Sequence, residues 1–119
     1  MKTNQLIRTD VQFRHMPKSD AVENLVKGEV VDLERFALPG THCEVVIDET
    51  QHRHMGGIFS VRIQLVIPGD GRYGAHRNAL NGSHEFIYGA VAEAFEELQS
   101  QLRKRSRQQL RRQRRAMAA

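Results

Sequence analysis

A chain of 119 residues has room for one domain with a modest core and little space for a deep catalytic cleft. Its 39% hydrophobic and 27% charged residues are the proportions of a soluble globular protein, and no apolar run nears the roughly 20 residues that span a bilayer, which excludes a transmembrane helix. The net charge of +4 is unevenly spread: residues 1–102 hold ten Lys and Arg against all fourteen Asp and Glu, a balance of −4, whereas residues 103–119 carry eight cations and no acid.

Residues 1–5 lack the run of about 7 to 15 apolar residues that forms a signal-peptide core, so a cytoplasmic location is expected. The first periodic signal is the alternation of Val11, Phe13 and His15 with Gln12 and Arg14, which predicts a strand over residues 10–15. Pro17 breaks it. Ser19 then offers a hydroxyl N-cap, and Asp20 and Glu23 suit the positive end of a helix. Val22, Leu25, Val26, Val30, Leu33 and Phe36 recur at spacings of three and four, predicting a helix over residues 20–36 that Gly28 weakens without forbidding.

Leu38-Pro39-Gly40 is stop-and-turn chemistry, and the β-branched residues between Glu44 and Asp48 predict a second strand. Cys43, the single cysteine, has no internal disulfide partner and reads as a structural strand residue. A polar loop follows over residues 51–57. Phe59, Val61, Ile63, Leu65 and Ile67 then alternate with Ser60, Arg62, Gln64 and Val66 in the clearest strand pattern of the chain. Pro68-Gly69-Asp70-Gly71 is a turn, residues 72–77 a fourth strand, and Asn81-Gly82 another turn before a helix capped by Ser83. Ile87, Val91, Ala94, Phe95, Leu98 and Leu102 mark the buried stripe of that helix. After Leu102 the stripe stops while helix-favouring Gln and Arg continue, so the helix should project beyond the core.

The order β-α-β-β-β-α predicts an α+β fold. By the right-handed crossover rule the first two strands are parallel and the short turns make the rest antiparallel, giving a four-stranded mixed sheet with two helices on one face. The division expected is a domain over residues 1–102 and a basic helical extension over residues 103–119.

Arg103, Arg107 and Arg111 recur every four residues, as do Lys104, Gln108 and Arg112, and Arg105 lies among them. With no acid among them they make a cationic surface suited to phosphates, and nucleic acid is the expected ligand. Lys27, Arg35 and Arg77 are secondary candidates on the body. No catalytic, metal or cofactor site is expected. His52 and His54 alone fall short of the four ligands of a structural zinc, neighbouring Ser83-His84-Glu85 side chains splay too far apart for a relay, and the glycine pairs lack a phosphate-loop pattern. Phe13, Phe59, Phe86 and Phe95 read as core or near-core residues.

The element order and several motifs together resemble the ribosome hibernation promoting factor family, which includes ribosome-associated inhibitor A, or protein Y, and was also labelled sigma-54 modulation protein. The residues are Ser19-Asp20-Ala21-Val22 followed by Leu33-Glu34-Arg35-Phe36, and Val61-Arg62-Ile63-x-Leu65-x-Ile67-Pro68-Gly69. Tyr88-x-Ala90-Val91-x-x-Ala94-Phe95-x-x-Leu98-x-x-Gln101-Leu102 looks like the family's second helix, and His52-x-His54 before Gly57 and Phe59 like a hairpin of one branch. The resemblance is to the short forms, which lack a C-terminal dimerisation domain; it departs at Gly28 and Glu29, where members commonly carry lysines. It implies a non-enzymatic protein that docks on the small ribosomal subunit and its rRNA, in the channel of messenger and transfer RNA, silencing and protecting idle ribosomes. Neither a membrane nor a small-molecule substrate is expected. The competing expectation is a general RNA- or DNA-binding domain acting off the ribosome.

Overall fold

The computed structural model describes residues 7–49, 58–79 and 84–118; the histidines of the 51–57 loop, the Asn81-Gly82 turn and the Ser83 cap lie outside them. The elements are β1 (Ile7–Arg14), α1 (Asp20–Val31), a 3-10 turn (Glu34–Phe36), β2 (Thr41–Glu49), β3 (Phe59–Ile67), β4 (Gly71–Ala79) and α2 (His84–Ala118). Along the sheet the order is β1-β2-β3-β4, with β1 parallel to β2 and the other neighbours antiparallel. The α+β fold and mixed sheet read from the sequence are those observed.

Register explains the single core. Val11, Val45, Ile63 and Ala75 lie side by side across the four strands, flanked by the rows of Cys43 with Leu65 and Ile47 with Val61. Because side chains alternate across a pleated sheet, all these odd-numbered residues project to one face. Cys43, Val45, Ile47, Val61, Ile63 and Leu65 are buried there. α1 crosses over β1, α2 lies over β3 and β4, and the helices touch each other. Ala75 and Ala79 on β4 are small, which lets α2 sit close with Phe95 and Leu98 fully buried. The Cys43 thiol is within this core, and burial pushes it up to about 12. That fits its structural reading.

Four local outcomes differ from the sequence expectations. β1 begins at Ile7, a buried residue, and ends at Arg14, so His15 falls outside it. His15 takes φ 59°, a left-handed conformation uncommon for a non-glycine residue, and its Nδ1 lies 2.8 Å from Asp48 Oδ1 on β2. α1 stops at Val31 instead of running to residue 36. β-branched Val30 and Val31 followed by Asp32 are poor helix formers, and the chain tightens there as the Asp32 and Leu33 amides donate to Glu29 and Val30 carbonyls. The N-terminus of α1 is as expected, with Ser19 Oγ accepting from the Val22 amide at 3.3 Å. β2 and β4 run two to three residues beyond the stretches read from composition. Phe86, expected at or near the core, is 43% exposed.

Between β3 and β4, the Asp70 amide donates to the Ile67 carbonyl at 3.0 Å around Pro68 and Gly69, the latter at φ 77°. That is a type II turn, with proline where φ is preset and glycine where φ must be positive. Its consequence is the placement of Asp70 under α2.

α2 carries the shape of the molecule. Leu102 is its last buried apolar residue, and helix continues to Ala118. The segment from 103 to 118 is about 24 Å long at 1.5 Å per residue, which accounts for principal extents of 64 × 34 × 20 Å. No described helix is long and apolar enough to cross a membrane.

Candidate nucleic-acid interface

Helical geometry sorts the cations of the projecting segment. At 100° per residue, Arg103, Arg107, Arg111 and Arg114, with Lys104 and Arg115, fall within an arc of about 120°. The buried stripe of Val91, Phe95, Leu98 and Leu102 is centred roughly 180° away from that arc. The cationic arc therefore points away from the sheet, and all six of its residues are exposed. Arg111, Arg112 and Arg115 with Gln108 border an open hollow of about 250 Å³. Among the described residues, Arg103 alone of this set has a side-chain bond, donating to Gln99 Oε1 at 2.8 Å. The first half of α2 carries Glu85, Glu93, Glu96 and Glu97. Glu85 in its first turn and Arg115 in its last favour the helix dipole.

Arg105 has a different environment from its neighbours. It lies on the body side, where its Nε donates to Asp70 Oδ1 at 2.9 Å; Gln109 Nε2 reaches the same oxygen at 3.3 Å, and the Tyr73 hydroxyl donates to Asp70 Oδ2 at 3.0 Å. The hydrogen bond and charge of Asp70 raise the pKa of Arg105. Tyr73 is raised too, first by desolvation and then by its bond to the Asp70 carboxylate. Three donors converging on one carboxylate fasten the base of the projecting helix to the β3–β4 turn.

The secondary candidates are on separate elements and are not drawn into the arc. Lys27 sits 3.3 Å from Glu23, one turn back on α1. Arg77 on β4 is 3.2 Å from Glu97 and 3.8 Å from Glu93, and it donates to its neighbour's carbonyl at His76. Arg35 is exposed, with its guanidinium 4.8 Å from the centroid of the Phe36 ring. The geometry brings Arg103, Lys104, Arg107 and Arg111 together with Arg114 and Arg115, places Arg112 at the margin, and commits Arg105, Lys27 and Arg77 to carboxylates.

Sequence reasoning passed over another group. The even-numbered strand residues face away from the helices, and among them Arg8, Arg62 and Arg72 have no ion pair or hydrogen bond among the described residues. The alternation that placed Ile63 and Leu65 inside already placed Arg62 and Gln64 outside. That signal was legible in β3, but not the strand pairing that sets Arg62 beside His76. Among the described residues no cluster of three or more His, Cys, Asp or Glu is arranged to hold a metal.

Comparison with known proteins gives a consistent picture. A family described as sigma 54 modulation protein / S30EA ribosomal protein matches residues 9–112. Among solved structures, the N-terminal domain of Thermus thermophilus protein Y superposes with a TM-score of 0.63 at 18% identity, covering 82% of this chain and 97% of that one. A ribosomal subunit interface protein from Coxiella burnetii superposes with a TM-score of 0.61 at 14% identity, covering 83% and 97%. At such identities these two likenesses bear on the fold. No curated protein matches in sequence.

Proposed function

This chain belongs to the sigma 54 modulation protein / S30EA ribosomal protein family, and from that premise we propose that it is a ribosome hibernation factor of the cytoplasm. It binds the small ribosomal subunit in the channel of messenger and transfer RNA, contacts rRNA through the projecting basic helix, and silences and protects idle ribosomes without chemistry of its own. The observation that carries the reading is the exposed cationic arc of α2, turned away from the core and free of acids. Such a surface suits a phosphate backbone, where each contact releases counterions and makes affinity fall with salt. The solved structures of similar fold are named as protein Y and as a ribosomal subunit interface protein, which supports the choice of partner.

Two measurements test it. Sedimented through a sucrose gradient, the protein should comigrate with small subunits or whole ribosomes; migration with free nucleic acid alone would favour a domain working off the ribosome. Replacing Arg103, Arg107, Arg111 and Arg112 by Gln preserves helix propensity and removes four potential phosphate contacts. The slope of log affinity for small subunits against log salt should then flatten by roughly 3 to 4 units. An unchanged slope would transfer the binding to the folded body.

A further inference from the structure

On the open face of the sheet, β3 and β4 form a hollow of about 570 Å³ whose polar border is Arg62, Gln64, Arg72, Tyr73 and His76, with Glu97 of α2 also lining it. Its floor exists because of one residue. Positions 72, 74 and 76 of β4 share this face, and Gly74 stands between the other two, opposite Gln64. With no side chain at 74 the strand between the two arginines is bare; a Cβ there would lie 3.2 Å from the Ile63 carbonyl oxygen, and the Gly74 carbonyl accepts from Gln101 Nε2 at 2.8 Å. Arg62 and Arg72 lie about 14 Å apart by strand geometry, four residues along and one strand across. Both nevertheless border the same hollow.

These arginines, like Arg8 on the same face, have no ion pair among the described residues. Elsewhere on the body, Lys18 and Lys27 are near Glu23, and Arg77 is near Glu97, which also borders the hollow. Among the described residues Arg62 and Arg72 have no acid within salt-bridge distance. The acids on this face are Asp10 and Asp48, held by His42 at 2.7 Å and His15 at 2.8 Å, with Glu44; all belong to the β1–β2 half. The face is thus acidic on one side and donor-rich on the other.

We propose that the hollow around Gly74 is a second RNA site, taking the phosphodiester backbone of a strand between Arg62 and Arg72. The chemistry favours phosphate over a protein partner. Planar guanidinium forks match phosphate oxygens, Gln64 adds a neutral donor, and the Glu97 carboxylate on the border is engaged by Arg77. This inference rests on the reading of RNA as the partner. It adds a contact on the face opposite α1 and α2, so the bound RNA would meet the sheet as well as the projecting helix.

The test compares wild type with Arg62→Gln/Arg72→Gln and with Arg14→Gln/Lys18→Gln, each verified as folded by circular dichroism. Both double variants lose two charges, but only the first loses cations that border the hollow. Two probes are used: purified small subunits and a labelled single-stranded RNA. For the Arg62→Gln/Arg72→Gln variant, weaker binding and a salt slope flatter by roughly 1.4 to 1.8 units are expected, from two contacts at about 0.7 to 0.9 each. The Arg14→Gln/Lys18→Gln variant should stay near wild type. Equal losses in both variants would reduce the effect to net charge and overturn the site; wild-type binding by the Arg62→Gln/Arg72→Gln variant would overturn it too and leave the hollow to an acidic protein surface. If wild type binds the RNA but not small subunits, the ribosomal reading fails while the comparison on RNA still decides the site. Binding to neither probe would defeat both.

Discussion

Phe95→Ala is the perturbation that tests the core most directly, because Phe95 is wholly buried where α2 lies over β3 and β4. Truncating a buried phenylalanine costs about 3 to 5 kcal/mol, the higher values arising where neighbours cannot collapse into the space. The inner-face residues of β4, over which α2 lies, are Ala75 and Ala79, and neither has the reach to fill the void. The upper half of that range, about 4 to 5 kcal/mol, is therefore expected. A domain of this size has only about 5 to 15 kcal/mol in total. Urea unfolding followed by circular dichroism should show the midpoint falling with the m-value unchanged, and Tm dropping by roughly 15 to 20 °C. Leu110→Ala supplies the contrast, since Leu110 is 47% exposed on the projecting part of the same helix. It should change stability by less than about 0.5 kcal/mol. A loss under about 1 kcal/mol for Phe95→Ala, or a comparable loss for both, would refute the placement of the core boundary at Leu102.

Cys43 yields a pH prediction. Its folded thiol is raised from 9.0 to about 12, so above pH 9 the unfolded chain releases a proton that the folded one keeps, and stability falls as pH rises between those values. From pH 8 to pH 10, wild type should lose about 1.4 kcal/mol more than Cys43→Ala; parallel curves would show that the thiol ionises within the fold. Asp70→Ala removes the acceptor shared by Arg105, Gln109 and Tyr73. Hydrogen exchange by mass spectrometry should show several-fold faster exchange in the helix beyond residue 102 with strand protection unchanged, since a short helix without tertiary support is marginal. Unaltered exchange there would mean that the Asp70 contacts do not hold the helix.

Much of this protein was determined by local pattern. The alternation at residues 59–67 had to be a half-buried strand, the stripe from Ile87 to Leu102 a packed helix, and the surplus of arginine after Leu102 an exposed surface, because periodicity reports directly which side of an element meets the core. The same reasoning is blind to partners. The helical period sets Arg105 apart from Arg103 and Arg107 but does not name its acceptor, which the β3–β4 turn delivers as Asp70 from 35 positions away. Nor does the one-dimensional pattern say that Arg62, Arg72 and Gly74 border one hollow, since that depends on the antiparallel register of β3 and β4. Helix periodicity likewise carried α1 past Val31, although the backbone turns there and continues as a 3-10 turn at Glu34–Phe36. Period and composition determine which way a side chain faces; what it meets is decided only when distant segments are brought together.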